Sequence, residues 1–251
     1  MAYDKVVDSQ QLDGAIRATA DAIRSKTNTT DKLQWDKQIG FENVINDMQI
    51  GSNDDFKNFI EGNMTSIDDN TLTSIGPYAF AYRPFTNVRL LSAQTIASYA
   101  FTSCNELTSV DLPLVQTINT MAFNSCTSLT SINAPLVRTM SGSCFNGCEN
   151  LSYMNFPAIN YIPAYICYQM NNLQTIDISK ATQIGLYAFG ECYSLTSIIC
   201  PNVTNIGASA FNSCTNLSYI DFPKATFIAR SAFGGCTSLT SANFPLVSST
   251  D

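Results

Sequence analysis

The sequence predicts a mainly β chain. It should be a right-handed coil of short parallel strands joined by short helical turns, about 22 residues per turn, behind a small α-helical N-terminal segment. Three observations carry this. A Phe recurs every 21 to 23 residues, at Phe80, Phe101, Phe123, Phe145, Phe189, Phe211 and Phe233, with Ile166 read as filling the vacant slot. The same apolar columns recur at fixed offsets from that position in most units. Only 13% of the 251 residues are charged while 45% are hydrophobic, so Ser, Thr and Asn must supply the polar surface, as in chains of many short strands.

Residues 1–50 stand apart from the repeat. "SQQLDGAIRATADAIRSK" places Leu12, Ile16 and Ile23 on one helical stripe, with Ala15, Ala20 and Ala22 beside it. "TNTTDK" interrupts the pattern, and Phe41, Val44, Ile45 and Met48 resume helical spacing. Two short helices are expected, with Trp35 at their join. Such helices are marginal alone, so Leu12, Ile16 and Ile23 are the candidate oligomerisation or docking residues. Residues 51–71 read as linker and cap: a short helix around Asp55–Ile60, then a first rung in "MTSIDDNTLTSIG". A stacked coil needs its open apolar end covered there.

From residue 72 to 251 each unit reads L-x-x-I-x-Φ-P, as in Leu107, Val110, Leu112 and Pro113, or Leu129, Ile132, Ala134 and Pro135. The apolar positions face inward and the intervening ones outward, with the alternation of a strand. Pro then stops the strand because it brings no N–H to a ladder. A second apolar group follows, such as Val115 and Ile118. No unit buries its apolar face alone, and stacking about eight of them closes a core roughly 35–40 Å long. One unit departs. In "YIPAYICYQMNNLQTIDIS" the reading puts Ile166 in the Phe slot, one extra residue before Leu173, and Ser179 in place of Pro, so a local bulge or bend is expected there.

Nine cysteines raise the question of chemistry. Cys104, Cys126, Cys148, Cys192, Cys214 and Cys236 share one column, three residues after the Phe slot. A linear ladder offers no converging tetrahedron for a metal, and no C-x₂-C pair is present. Disulfides between coils would need particular Cβ directions and would pair arbitrarily. The cysteines therefore read as small buried fillers. Cys144 and Cys200 fit other apolar columns, and Cys167 finds no place in the pattern.

Other classes are set aside on composition. The chain has no His, which removes Ser–His and Cys–His catalysis. A net charge of −7 without a Lys/Arg run argues against nucleic-acid binding. No N-terminal apolar core reads as a signal peptide, and no stretch is long enough for membrane insertion. Asp111 and Asp177 lie three turns apart, roughly 14 Å, too far for paired-carboxylate catalysis. No enzyme activity, metal or cofactor is expected.

The outward strand positions form the candidate ligand face: Asp111, Thr130, Asn133, Tyr153, Asn155, Asp177, Tyr219 and Asp221. Aromatic rings beside carboxylates and amides suit a sugar, whose ring faces stack and whose hydroxyls take hydrogen bonds. A calcium site would need converging oxygens rather than a line interrupted by Ile199.

"IASYAFTSCNELTSVDLP" and "IGASAFNSCTNLSYIDFP" resemble BspA-type leucine-rich repeats, whose pattern is close to I-x-x-x-A-F-x-x-C-x-x-L-x-x-I-x-Φ-P. The resemblance implies a parallel-strand solenoid with irregular or 3₁₀ turns on its convex side, of the kind seen in adhesins and surface antigens. Separately, "IRATADAIRSKTNTTDKLQW" with "GFENVINDM" resembles a segment near the N-termini of phage and prophage tail-associated proteins. Together these imply a non-enzymatic virion protein of tail or baseplate, assembled in the host cytoplasm and homo-oligomeric through its N-terminal helices. Its partners would be other tail or baseplate proteins and a host-surface glycan or protein. The alternative is a bacterial cell-surface adhesin of the BspA type, which would require an export signal and an anchor.

Overall fold

The computed structural model describes residues 64–250, and the side chains of Tyr153, Asn155, Ser249 and Thr250 lie outside the described ones. The helices expected over residues 1–50, the short helix around 55–60, and the stripe of Leu12, Ile16 and Ile23 all lie outside the described residues.

Each L-x-x-I-x-Φ segment forms a strand, because its alternation buries one side and exposes the other. These are β1 (Ser66–Asp69), β3 (Asn87–Leu90), β5 (Ser109–Asp111), β7 (Ser131–Asn133), β9 (Tyr153–Asn155), β11 (Thr175–Asp177), β13 (Ser197–Ile199), β15 (Tyr219–Asp221) and β17 (Ser241–Asn243). The second apolar group of each unit makes a two-residue strand. These are β2 (Ser74–Ile75), β4 (Thr95–Ile96), β6 (Thr117–Ile118), β8 (Thr139–Met140), β10 (Tyr161–Ile162), β12 (Gln183–Ile184), β14 (Asn205–Ile206), β16 (Phe227–Ile228) and β18 (Ser249–Thr250). All pairings are parallel and join equivalent residues of successive coils: Asn87 to Ser109, Ser109 to Ser131, Thr95 to Thr117. The chain is a solenoid of about eight turns with two ladders, one long and one short. The short ladder has only two residues per strand and no sequence alternation to announce it.

The turns are not helical. The expectation of short helical turns fails, because the backbone N–H groups that a helix would use are sent to the neighbouring coil. Thr102 N–H bonds back to Tyr99 O at 3.2 Å, Ser103 N–H crosses to Asn124 O of the next coil at 2.8 Å, and Cys104 N–H bonds back to Phe101 O at 3.3 Å. The crossing donors Tyr99 and Ser103 have φ of 61° and 56°. Two such left-handed positions recur in nearly every turn, mostly on non-Gly residues such as Met121, Ser143 and Glu191. Left-handed backbone costs an L-residue roughly 1–2 kcal/mol, and here it lets every turn hydrogen-bond along the stack.

The core is a set of columns running along the coil. Phe80, Phe101, Phe123 and Phe145 stack at centroid spacings of 5.2, 5.2 and 5.6 Å, and Phe189, Phe211 and Phe233 at 5.3 Å each. Each pair adds about 0.5–1.5 kcal/mol beyond its buried area.

The gap between the two Phe stacks corrects the reading of the irregular unit. Cys167, not Ile166, holds the Phe slot: Cys167 N–H bonds to Ala188 O at 2.9 Å, as Phe123 N–H bonds to Cys144 O at 2.9 Å. Ile166 therefore holds the Ala slot. Met170 holds the Cys slot, its N–H bonding to Cys167 O at 3.2 Å as Cys126 N–H does to Phe123 O at 3.3 Å. No residue is inserted. The usual small–large–small set Ala–Phe–Cys becomes Ile–Cys–Met, and volume moves from the middle position to its neighbours. The rearranged core borders a small, largely apolar cavity of about 10 Å³ among residues including Met140, Ile166, Cys167 and Phe189. Here the short ladder breaks between β8 and β10, and the long ladder between β9 and β11. The long ladder breaks again between β13 and β15.

Restoring the common set tests this register. Ile166→Ala/Cys167→Phe/Met170→Cys is expected to raise the urea midpoint, because it closes the cavity and joins the two Phe stacks. Ile166→Phe alone forces a ring into the Ala slot and is expected to cost roughly 1–3 kcal/mol. A stabilised Ile166→Phe would return Ile166 to the Phe column.

Candidate functional site

The long ladder turns every second side chain outward, and these side chains interact down their columns. In the Thr column the hydroxyls are occupied. Thr108, Thr130 and Thr196 each donate to the backbone carbonyl of the equivalent residue one coil earlier, at 2.8, 2.9 and 3.1 Å. The same carbonyls also receive the backbone N–H of those residues. Thr130 is therefore a ladder element that keeps only acceptor capacity for a ligand.

The next column pairs Ser109 Oγ with Asn87 Oδ1 at 2.6 Å. The third column is an alternating run of acceptors and donors. Arg89 Nη1 reaches Asp68 Oδ2 at 3.3 Å and Arg89 Nε reaches Asp111 Oδ2 at 3.6 Å, while Asn133 Nδ2 donates to Asp111 Oδ1 at 2.9 Å. These groups are well exposed, so the ion pairs add at most about 1 kcal/mol each. Their effect is to fix the side chains in place. Asn87, Arg89, Ser109, Asp111, Ser131 and Asn133 line an open depression of about 420 Å³ on β3, β5 and β7.

The structure brings Asp111 and Asn133 together on β5 and β7, and Thr130 lies just before β7. Tyr153 and Asn155 follow on β9 in register with Ser131 and Asn133, and their side chains lie outside the described ones. Asp177 has a structural duty instead. Its Oδ1 accepts Ser179 N–H at 2.8 Å, a donor that the Pro of most other units does not have. Tyr219 and Asp221 form a second, distant patch on β15, where Asn243 Nδ2 donates to Asp221 Oδ1 at 2.8 Å. Tyr219 is 51% exposed, and Ile199, on the preceding long strand, 53%. The eight residues thus fall into separate groups along the coil. Sequence reasoning missed Arg89, although it lies one 22-residue step before Asp111 in the same column.

The cysteine column has a positive explanation. Cys126 Sγ donates to Phe101 O at 3.1 Å, and Cys104, Cys148, Cys192, Cys214 and Cys236 make the same bond to the preceding coil at 3.0–3.1 Å. Each thiol covers the carbonyl of the Phe-slot residue before it. All nine cysteines are free, and all but Cys236 are buried. Burial pushes the Cys144, Cys192 and Cys200 thiols up to about 12, and Cys104 higher still. They are poor nucleophiles and poor metal ligands. Among the described residues no group of three or more His, Cys, Asp or Glu converges as a metal site, and no helix is long and apolar enough to cross a membrane.

The family pattern of the BspA type leucine rich repeat region, in six copies, matches residues 52–173 and 160–250. The chain belongs to that family. A leucine-rich repeat protein of T. pallidum is 26% identical with a TM-score of 0.55, over 61% of this chain and 78% of its own. One from Bacteroides ovatus is 26% identical with a TM-score of 0.46, over 72% of this chain and 60% of its own. One from Eubacterium ventriosum is 23% identical with a TM-score of 0.50, over 72% of this chain and 45% of its own. The chain thus spans less than two thirds of the length of two of these three proteins. No curated protein matches it.

Thiol titration checks the cysteine assignment. Native protein at neutral pH is expected to expose about one reactive thiol, Cys236, and to expose nine on unfolding. The Cys144, Cys192 and Cys200 thiols have folded values above the unfolded one. Their contribution to stability is full below about pH 8.5 and is lost as pH rises toward 12. Tm measured from pH 7 to 11 should fall on the alkaline side, and less steeply in Cys192→Ala.

Proposed function

We propose that the chain is a non-enzymatic interaction module of the surface-adhesin type, which uses the polar face of its long ladder to hold a cell-surface protein or glycan. The observation that carries this reading is the depression on β3, β5 and β7, where Asp111 is held by an ion pair with Arg89 and a hydrogen bond from Asn133 and the three side chains remain open to solvent. A surface whose polar groups are pre-ordered loses little entropy on binding. Membership of the BspA type repeat family supports the same reading.

A second reading, distinct from a cell-surface adhesin, places the chain on a phage tail or baseplate, with homo-oligomerisation and docking through the N-terminal segment. The sequence of that segment is its support. In either reading the ladder face meets the target.

Two experiments test this. Labelled full-length protein is applied to bacterial and host cells and to a glycan array, beside Arg89→Ala/Asp111→Ala/Asn133→Ala. Saturable binding, weakened roughly 10-fold or more in the variant with its circular dichroism unchanged, is expected. Equal binding by both proteins would remove the face from the function. Immunogold labelling then separates the two readings. Label on producing cells supports the adhesin, label confined to virus particles supports the virion protein, and label on neither contradicts surface display.

A further inference from the structure

A second cluster lies on another side of the coil, on the turns that lead from the short ladder to the long one. Tyr165 and Tyr187 occupy the same position in neighbouring coils and stack at 5.3 Å. Tyr168 stands edge-on to both, with centroids at 5.7 and 6.0 Å. Tyr168 Oη donates to Glu191 Oε1 at 2.6 Å. Gln169 Nε2 and Tyr193 Oη donate to Glu191 Oε2 at 3.1 and 3.2 Å. Two tyrosines therefore hold one carboxylate, and Tyr165 and Tyr187 pack against one of them, Tyr168.

The repeat does not require this arrangement. In other coils the position of Tyr168 is held by residues such as Asn124 and Asn146, where Asn124 Nδ2 donates to Asn146 O at 3.2 Å. One coil further on, the same position is Gly190. A Cβ there would lie 2.9 Å from Tyr187 Cδ1 and 3.1 Å from Tyr168 Cδ2. The missing side chain is what lets the two rings close over the backbone. The cluster is built by departures in successive coils, among them Tyr168 and Gly190 where Asn124, Asn146 and Asn212 stand elsewhere, and Glu191 where Ser103, Ser125 and Ser213 stand.

Among the described residues Glu191 pairs with no Lys or Arg. The hydrogen bond from Tyr168, joined by those from Gln169 and Tyr193, holds its carboxyl below the usual range, so it stays ionised. The hydroxyls of Tyr168 and Tyr193 are already given to the carboxylate. Next to that group the cluster offers ring faces and negative charge, and a ligand must bring the donors and the positive charge. The chain as a whole carries −7. A cation over aromatic faces is attracted by their quadrupole, and a carboxylate beside them adds a direct partner. We propose that Tyr165, Tyr168, Tyr187, Tyr193 and Glu191 form a subsite for an alkylammonium group. A sugar is the opposing possibility. It would need free hydroxyl partners, of which the two nearest the carboxylate are spent. This subsite is independent of the ladder face and of the function assigned to it.

Full-length protein carrying 3-fluorotyrosine is titrated and followed by ¹⁹F NMR. The probes are n-butylammonium chloride, tetramethylammonium chloride, butan-1-ol and N-acetylglucosamine at matched ionic strength. Saturable shifts of the Tyr165, Tyr168, Tyr187 and Tyr193 signals with the ammonium salts, and not with butanol or the sugar, are expected. Glu191→Gln should weaken that response roughly 10-fold. Tighter butylammonium binding assigns the subsite to a lysine side chain, and tighter tetramethylammonium binding to a quaternary amine. Equal response to butanol, a response to the sugar alone, no saturable response, or an unchanged response in Glu191→Gln would each overturn the proposal. The comparison of butylammonium with its neutral isostere stands without any variant.

Discussion

Everything in this solenoid depends on equivalent residues meeting each other one coil apart. The offset is 22 residues along the long ladder after the first step of 21. Parallel pairing requires it, because a slip of one residue turns every buried side chain outward. Once the offset is set, each column is packed by its own kind. Phe stacks on Phe, each Cys thiol covers the carbonyl of the preceding Phe-slot residue, and each Thr hydroxyl covers the carbonyl of the preceding ladder residue. A side chain is then judged by its fit to two neighbours along the coil more than by contacts within its own coil.

The same constraint shapes the surface. Outward residues inherit the 22-residue spacing, so polar groups fall opposite polar groups and satisfy one another before any ligand arrives. Asp111 is held between Arg89 and Asn133, and Asp221 accepts from Asn243. The face is thereby fixed, and its binding capacity lies in the unused lone pairs and protons of already ordered side chains. Where the columns break their own rule, a different kind of surface appears. The coil containing Cys167 in the Phe slot also places Tyr165 and Tyr168 against Tyr187 and Glu191 of the next coil.

Much of this was legible in the sequence because period and alternation are properties of a single chain. The long strands, the inward columns, the stopping Pro and the outward position of Asp111 and Asn133 all follow from counting. Other features depend on the neighbouring coil. The spent hydroxyl of Thr130 depends on the Thr108 carbonyl, and the duty of Asp177 on the N–H that Ser179 supplies in place of Pro. The non-helical turns rest on left-handed backbone at Tyr99, Ser103 and Met121, residue types that do not advertise it as Gly would. Ile166 was misplaced because a shifted slot and a resized one look alike in one sequence. The hydrogen bonds from Cys167 N–H to Ala188 O and from Met170 N–H to Cys167 O separate them.

The most direct measurement is urea unfolding of two internal deletions. Removing residues 110–131 joins Ser109 to Ile132 and takes out one whole coil, leaving every column aligned. Removing 110–130 takes out one residue fewer and shifts all later columns by one. The whole-coil deletion should retain the β-rich circular dichroism and a cooperative transition, with a modestly lower midpoint, while the shorter deletion should lose both. If the two deletions unfold alike, with cooperative transitions at similar midpoints, the register is not what holds the solenoid together.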